Sequence, residues 1–332
     1  MSRAFLPVLV ILLLSLNDLY GQYIEITDTL TLEENNEVIL GSPRFQERSG
    51  NEILVVDQET HRVLVYDIDG KLLTYFGRYG RGPGDLEKPT SVVKLSTGEY
   101  LVSEFKGRIS KFDATGKFQI VTDTGIPRLN GLKMLPNGVV LLIGGMTTPD
   151  DHYLIHFFDP LTMEVEKAFF QLPVDPAEYG MQPLTLAESS YAVVCQDKIV
   201  AVHAMLPKLF YFDLNGDSFN EVRIDTELFT GMEKHKMSSN PTRMMEIYGS
   251  ASWLSGLHCL NNGSVLVQFY QNLKMKGNPL VVILIDKHGN VLNEATEAPE
   301  IKFSVRGTDT VYVKDPESDL LNSLIKSTIN KN

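Results

Sequence analysis

The residues best suited to bind a ligand lie in one glycine-rich segment, which runs from Gly77 to Pro89. Arg78 and Arg81 carry planar guanidinium groups that can donate paired hydrogen bonds to an anion. Tyr79, between them, adds an aromatic ring. The segment matches neither the G-x-G-x-x-G nor the G-x-x-x-x-G-K-[ST] pattern of phosphate-binding loops. We therefore predict Arg78, Tyr79 and Arg81 as ligand contacts of a loop that is not a phosphate cradle.

The same segment also has the features of a rigid loop that stabilises the fold. Its glycines allow backbone angles that are closed to other residues, and Pro83 stiffens the chain between them. The carboxylate of Asp85 can accept hydrogen bonds from amides of its own turn. We assign the structural role to Gly80, Gly82, Pro83, Gly84, Asp85 and Pro89.

Three further residues are candidate ligand contacts because of their places at strand ends. Glu104 and His203 close equivalent strands and are predicted to face the mouth of a channel, and Tyr270 begins a long connection. The seven histidines are scattered, without an H-E-x-x-H pattern, and no G-x-S-x-G elbow is present. The sequence therefore predicts no catalytic residue and no metal ligand.

The segment Asp213–Asp217 has the acidic spacing with which a calcium-binding loop begins. Ser218 stands where the glycine of such a loop belongs, and Ile224 stands where its bidentate glutamate belongs. We therefore predict a hairpin turn here.

Cys195 and Cys259 are the two cysteines of the chain. Each precedes a turn at a similar position of a neighbouring repeat, so the two do not face each other across one strand pair. A disulfide requires Cα atoms within about 7 Å of each other. Two small buried thiols are therefore the favoured expectation, with a disulfide as the alternative.

Composition limits the class of protein. The chain has 332 residues, 43% of them hydrophobic and 22% charged, which suffices for a large folded core. Its net charge of −12 argues against nucleic-acid binding, which depends on basic patches.

The first 21 residues differ from the rest and have the organisation of a secretory signal peptide. Arg3 is followed by an apolar stretch at 4–16 that is shorter than the ~20 residues of a membrane span. We predict cleavage near Gly21 and export to the periplasm or the medium, with no membrane span in the mature chain.

Two turn signatures alternate along the remainder, 22–332, and predict a single all-β domain. One is a Gly, Asn or Asp turn followed by a β-rich strand, found at 49–56, 97–104, 137–144, 196–203, 262–269 and 307–314. The other is an apolar residue before Asp and a turn, found at 66–70, 112–116, 158–159, 212–216 and 285–289. Such a paired-turn unit, repeated in fixed order, predicts a six-bladed β-propeller of four-stranded antiparallel blades.

The run 76–89, FGRYGRGPGDLEKP, resembles the loop between blades of NHL-type propellers, and is most similar to that of exported six-bladed propellers of Bacteroidetes-like bacteria. Asp85 occupies the acidic position of that loop and Pro89 its closing proline. From about Ile126 onward the similarity is confined to the pattern of turns. The resemblance implies the fold and no particular activity.

Ring closure and the placement of loops follow from this fold. The alternating stretch Gln22–Leu32 is predicted to pair into the last blade and remove its exposed edge. The segment Leu320–Ile329 is expected to add a strand or a short helix there. All the long connections fall on one face of the ring, and Pro241–Tyr248 within one of them has helical periodicity.

Two functions are compatible with these features. The favoured one is an exported, non-catalytic binding propeller without a cofactor, which presents its long-loop face to a glycan, peptide or protein ligand. The alternative is a propeller enzyme of lyase or lactonase type, with a divalent metal at the channel mouth. The sequence does not identify the extracytoplasmic partner.

Overall fold

Twenty-four strands form six four-stranded sheets in the computed structural model, which describes residues 24–46, 48, 50–147, 152–175, 178, 190–232, 234, 241–271 and 280–330. The predicted signal peptide lies outside these residues. All pairings within the sheets are antiparallel, as in the register of β3 (Glu52–Asp57) with β4 (Arg62–Asp67). The predicted six-bladed, all-β propeller is confirmed.

The first three blades follow one another along the chain. Blade 1 comprises β2 (Pro43–Phe45), β3, β4 and β5 (Leu72–Phe76). Blade 2 comprises β6 (Pro89–Lys94), β7 (Tyr100–Glu104), β8 (Arg108–Phe112) and β9 (Phe118–Asp123). Blade 3 comprises β10 (Gly131–Met134), β11 (Val140–Thr147), β12 (His152–Asp159) and β13 (Glu164–Gln171).

The last three blades complete the ring. Blade 4 comprises β14 (Ser190–Cys195), β15 (Lys198–His203), β16 (Lys208–Asp213) and β17 (Ser218–Arg223). Blade 5 comprises β18 (Trp253–Cys259), β19 (Val265–Tyr270), β20 (Leu280–Ile285) and β21 (Val291–Ala295). Blade 6 comprises β22 (Ile301–Ser304), β23 (Thr310–Lys314), β24 (Ser323–Ile329) and β1 (Ile24–Thr31).

The N-terminal strand closes the ring as predicted. β1 pairs antiparallel with β24, from Ile24 opposite Ile329 to Thr31 opposite Ser323, and is the outermost strand of blade 6. The segment near the C-terminus is therefore a strand rather than a helix. Pairing the two ends of the chain covers an edge that would otherwise expose unpaired backbone groups.

The repeated Asp-x-x-Gly turns owe their form to a side-chain cap. In the turn after β8, Asp113 Oδ1 accepts hydrogen bonds from the amides of Thr115 and Lys117, and Gly116 has φ +82°. The same carboxylate cap occurs in the turns that begin at Asp67, Asp213 and Asp286. The turn at Asp213 is therefore the predicted hairpin.

The core consists of apolar layers between neighbouring blades. In one layer Val63 and Phe76 of blade 1 pack with Val92 and Phe112 of blade 2, and Leu86 of the connecting loop is fully buried among them. Leu86 therefore occupies the seam between the two blades.

The expectation of two unpaired thiols is wrong, because Cys195 and Cys259 form a disulfide with a Cα–Cα distance of 5.4 Å. Cys195 ends β14 and Cys259 ends β18, the innermost strands of blades 4 and 5. Innermost strands converge around the channel of a propeller, so equivalent positions of neighbouring blades come close. Both strands run in the same direction, and their two ends meet on the same face.

The two faces of the ring differ in their connections. We call the face with the tight turns the turn face and the opposite one the loop face. The loop face carries the connections at 77–88, 172–189, 224–252 and 271–279, of which the second, third and fourth lie partly outside the described residues. The helix predicted in the third connection is α1 (Pro241–Ser250). Met232 of that connection packs against Val174 and Met205.

Candidate functional site

The innermost strands of all six blades surround a cavity of about 450 Å³, which we call the channel cavity. Each innermost strand starts at the loop face and ends at the turn face. Arg44 and Tyr191 are the second residues of β2 and β14, and Tyr270 is the last residue of β19. These three side chains therefore line the channel cavity toward the loop face.

Arg44 is the most accessible cation of the cavity wall. Its side chain is exposed to the cavity although the six blades enclose it. Nη1 donates a hydrogen bond of 3.0 Å to Oδ1 of Asn130, which orients the guanidinium across the channel from blade 1. Enclosure by protein lowers the pKa of Arg44, with the nearby Tyr191 acting in the opposite direction.

Two tyrosines and an ion pair continue the polar wall. Burial raises the pKa of the Tyr191 hydroxyl, and burial together with Glu300 raises the pKa of Tyr270. Lys302 Nζ lies 2.7 Å from Oε2 of Glu300. Both tyrosines are therefore neutral hydrogen-bonding groups at ordinary pH.

Other polar groups of the wall are used to join blades. Ser91 Oγ contacts Oε1 of Gln46 at 2.5 Å and accepts the amide of Leu132 at 3.0 Å. Gln268 Oε1 accepts the amide of Ile301 at 3.0 Å. These side chains hold the wall in place and leave the recognition of a ligand to their neighbours.

His258 lines the same cavity from β18. Burial, with a further contribution from the nearby Lys133, lowers the pKa of His258 to about 3. Its imidazole is therefore neutral, and no described residue makes a hydrogen bond to its Nε2 atom.

A second cavity, of about 500 Å³, lies at the turn face. Its residues Glu52, Lys94 and Arg306 are engaged with one another or with the backbone. Lys94 Nζ lies 2.6 Å from Oε1 of Glu52, and Arg306 Nη1 donates to the carbonyl of Met134 at 3.3 Å. The channel cavity is the better candidate, because Arg44 within it has a neutral partner.

The predicted ligand residues of the 77–88 loop lie away from the channel cavity. Arg78 Nε is 2.7 Å from Asp85 Oδ1, and Arg81 Nε is 2.8 Å from Glu87 Oε2. Tyr79 is 70% exposed. None of the three predicted contacts lines the cavity, and both arginines are already paired with carboxylates of their own loop.

Glu104 and His203 end equivalent strands, β7 and β15, but both are buried and neither lines the channel cavity. Glu104 Oε2 accepts the amide of Glu87 at 2.6 Å, which anchors the loop between blades 1 and 2. Burial raises the pKa of Glu104. Of the six predicted ligand residues, Tyr270 alone lines the cavity.

The carboxylate of Asp85 holds the 77–88 loop in its conformation. Asp85 Oδ2 accepts the amide of Gly82 at 2.9 Å, and Oδ1 accepts from Arg78. A Cβ atom at Gly80 would collide with the same carboxylate. The loop therefore closes around one side chain.

Replacement of Asp85 by Ala is expected to lower the denaturant midpoint of unfolding, because the Gly82 amide loses its acceptor. Arg78→Ala removes only the exposed ion pair, and should lower the midpoint less. Chemical denaturation of both variants checks this. A wild-type midpoint for Asp85→Ala would show that the carboxylate of Asp85 does not stabilise the fold.

Within the described residues, no helical segment has the length and the apolar composition that a membrane span requires. In the same part of the chain, no group of three or more His, Cys, Asp or Glu side chains is arranged to hold a metal ion.

No protein-family model matches the chain, and no curated protein matches it. Solved structures do show the same fold. A protein of Bacteroides fragilis described as exported is 12% identical, with a TM-score of 0.64 over 94% of this chain and 98% of that one. A member of the DUF4221 family from Bacteroides vulgatus is 12% identical, with a TM-score of 0.63 over 93% and 98%.

Virginiamycin B lyase from Staphylococcus aureus is also similar. It is 12% identical, with a TM-score of 0.50 over 92% of this chain and all of that one. At 12% identity the three similarities establish the fold alone, and it is the fold that the paired turns predict.

Proposed function

We propose that the chain is an exported binding propeller, which takes a small polar ligand into the channel cavity from the loop face and catalyses no reaction on it. The ligand is a small molecule, or the terminal group of a glycan or peptide. The observation that carries the proposal is the channel cavity, whose volume of about 450 Å³ lies within the range of known small-molecule sites.

The wall of the cavity also supports binding. Apolar side chains such as Phe45 and Leu257 alternate there with hydrogen-bonding groups such as Tyr191 and Tyr270. Ligand sites typically combine an apolar lining with a few polar groups that fix orientation. The rigid ring holds these groups in place without a ligand, so little ordering is needed on binding.

Export is supported by two features. The disulfide between Cys195 and Cys259 is typical of proteins that mature in an oxidising compartment. The similarity to a protein described as exported points to the same location.

A variant that fills the cavity tests the proposal. Ser255 lines the cavity from β18. Ser255→Phe is expected to abolish the thermal stabilisation that small polar compounds confer on the wild-type protein in a library screen. Ala114→Phe, on an exposed turn of the opposite face, is the matched control and should retain every shift.

Compounds that stabilise Ser255→Phe as much as the wild type would place binding elsewhere and contradict the proposal.

The enzyme alternative is supported by the similarity to virginiamycin B lyase, which extends to the fold alone. It requires a bound divalent metal, so elemental analysis together with melting in a chelator separates the two functions. A stoichiometric metal and a large loss of stability in chelator would favour the enzyme.

A further inference from the structure

We propose that the ligand of the channel cavity is a small organic anion, and that Arg44 is the residue that binds its anionic group. This inference rests on the proposed function and adds the chemical class of the ligand. The charged side chains of the cavity wall are three cations, Arg44, Lys133 and Lys302, and one carboxylate, Glu300. The cavity is therefore cationic within a chain whose net charge is −12.

The contacts of Arg44 distinguish it from other arginines of the loop face. Among the described residues no carboxylate lies within ion-pair distance of it, and its side-chain hydrogen bond goes to the neutral amide oxygen of Asn130. Arg78 and Arg81, in contrast, are paired with Asp85 and Glu87. A guanidinium has five N–H donors, so Arg44 retains donors for a second acceptor while Asn130 holds it.

Enclosure in the cavity destabilises the positive charge of Arg44, which has no carboxylate partner among the described residues. Surrounding protein lowers the pKa of Arg44, which means that its charged form is less stable there than in water. An anion placed against the guanidinium would offset this cost, and the restricted water of a cavity strengthens the attraction. Arg and a carboxylate or phosphate form paired hydrogen bonds of fixed geometry.

The remainder of the wall indicates what carries the anion. Tyr191 and Tyr270 present neutral hydroxyl groups and ring surface, and Phe45 and Leu257 are apolar. Ser190, which is 1% exposed, lines the same cavity, and no described residue makes a hydrogen bond to its hydroxyl. These surroundings fit a ligand whose apolar or aromatic part carries one anionic group, rather than a free inorganic ion.

Three probes of similar shape test the class of ligand. Benzoate and phenyl phosphate carry the anion on a ring, and benzamide replaces it by a neutral amide. We expect titration calorimetry to show binding of at least one anion to the wild-type protein, with benzamide about 10–100-fold weaker. Preference between the two anions shows whether the group is a carboxylate or a phosphate.

Variants identify the residue. Arg44→Gln should lower the affinity for the anion by about 10–100-fold and leave the affinity for benzamide unchanged. Arg44→Lys should restore part of the affinity for the anion. Arg81→Gln removes an exposed, paired arginine of the same face and is the matched control. Circular dichroism verifies that each variant is folded.

The outcomes separate this inference from the proposed function. Equal binding of benzamide and the anions, wild-type affinity in Arg44→Gln, or no binding of either anion would overturn the inference. The proposed function stands in each case if other compounds still bind in a manner sensitive to Ser255→Phe. If no compound binds in that manner, the proposed function fails as well.

Discussion

Reduction of the Cys195–Cys259 disulfide is expected to lower the free energy of unfolding by about 2–4 kcal/mol. The bond joins residues 64 positions apart and therefore restricts a long loop of the unfolded chain. It also ties the innermost strands of blades 4 and 5 together on the turn face. Denaturant unfolding with and without reductant measures the effect.

The control is the double variant Cys195→Ala/Cys259→Ala. Both cysteines are buried in the apolar layer between the two blades, so alanine keeps their surroundings apolar. The double variant should be as unstable as the reduced wild type, and reductant should not change it further. If the wild type keeps its midpoint while a thiol assay shows complete reduction, the bond contributes nothing to stability.

The fold could be predicted because its signals are local. A turn such as Asp113–Gly116 is capped by its own first side chain, so four or five residues suffice to show where one strand ends and the next begins. Regular repetition of such turns sets the number of blades. The closure by β1 follows from the need to cover an edge strand.

The site could be predicted only in part because its residues converge from different blades. Arg44 meets Asn130 across 86 positions of sequence, and no local pattern connects them. The strand that carries Arg44 is only three residues long, which hides its place as an innermost strand. The sequence signal that Arg44, Tyr191 and Lys302 share is a polar residue at the loop-face end of an innermost strand.

Burial by a loop explains why Glu104 does not line the cavity. The sequence places Glu104 correctly at a strand end, but the amide of Glu87 covers its carboxylate. The sequence shows that the 77–88 connection is long and does not show that it folds back over that strand end. The cysteines are a separate case, because their pairing depends on the convergence of two strands around the channel.

Acidification from about pH 6.5 to about pH 4 is expected to destabilise the protein through His156. This residue of β12 is fully buried, and its Nε2 lies 3.2 Å from the carbonyl oxygen of Gly144. Burial lowers the pKa of His156 to about 4, with the contact to Gly144 acting in the opposite direction. A histidine in the unfolded chain has a pKa of about 6.5.

The sign of the effect follows from these two values. Above about pH 6.5 the imidazole of His156 is neutral in both states, and the stability is fully present. As the pH falls, the unfolded chain takes up a proton that the folded protein excludes, so the free energy of unfolding decreases. The loss reaches about 3 kcal/mol near pH 4 and then levels off, because the folded protein is protonated as well.

Denaturant unfolding at neutral pH and at about pH 5 measures this loss, which should be about 2 kcal/mol for His156 alone. His258, which is half-buried at the channel cavity and whose pKa is lowered to about 3, adds a second loss in the same interval. His156→Gln should therefore remove about half of the dependence on pH, and the double variant with His258→Gln most of it. His288→Gln, which removes an exposed histidine of a tight turn, is the matched control. An unchanged dependence on pH in His156→Gln would show that this histidine is protonated as readily in the folded protein as in the unfolded chain.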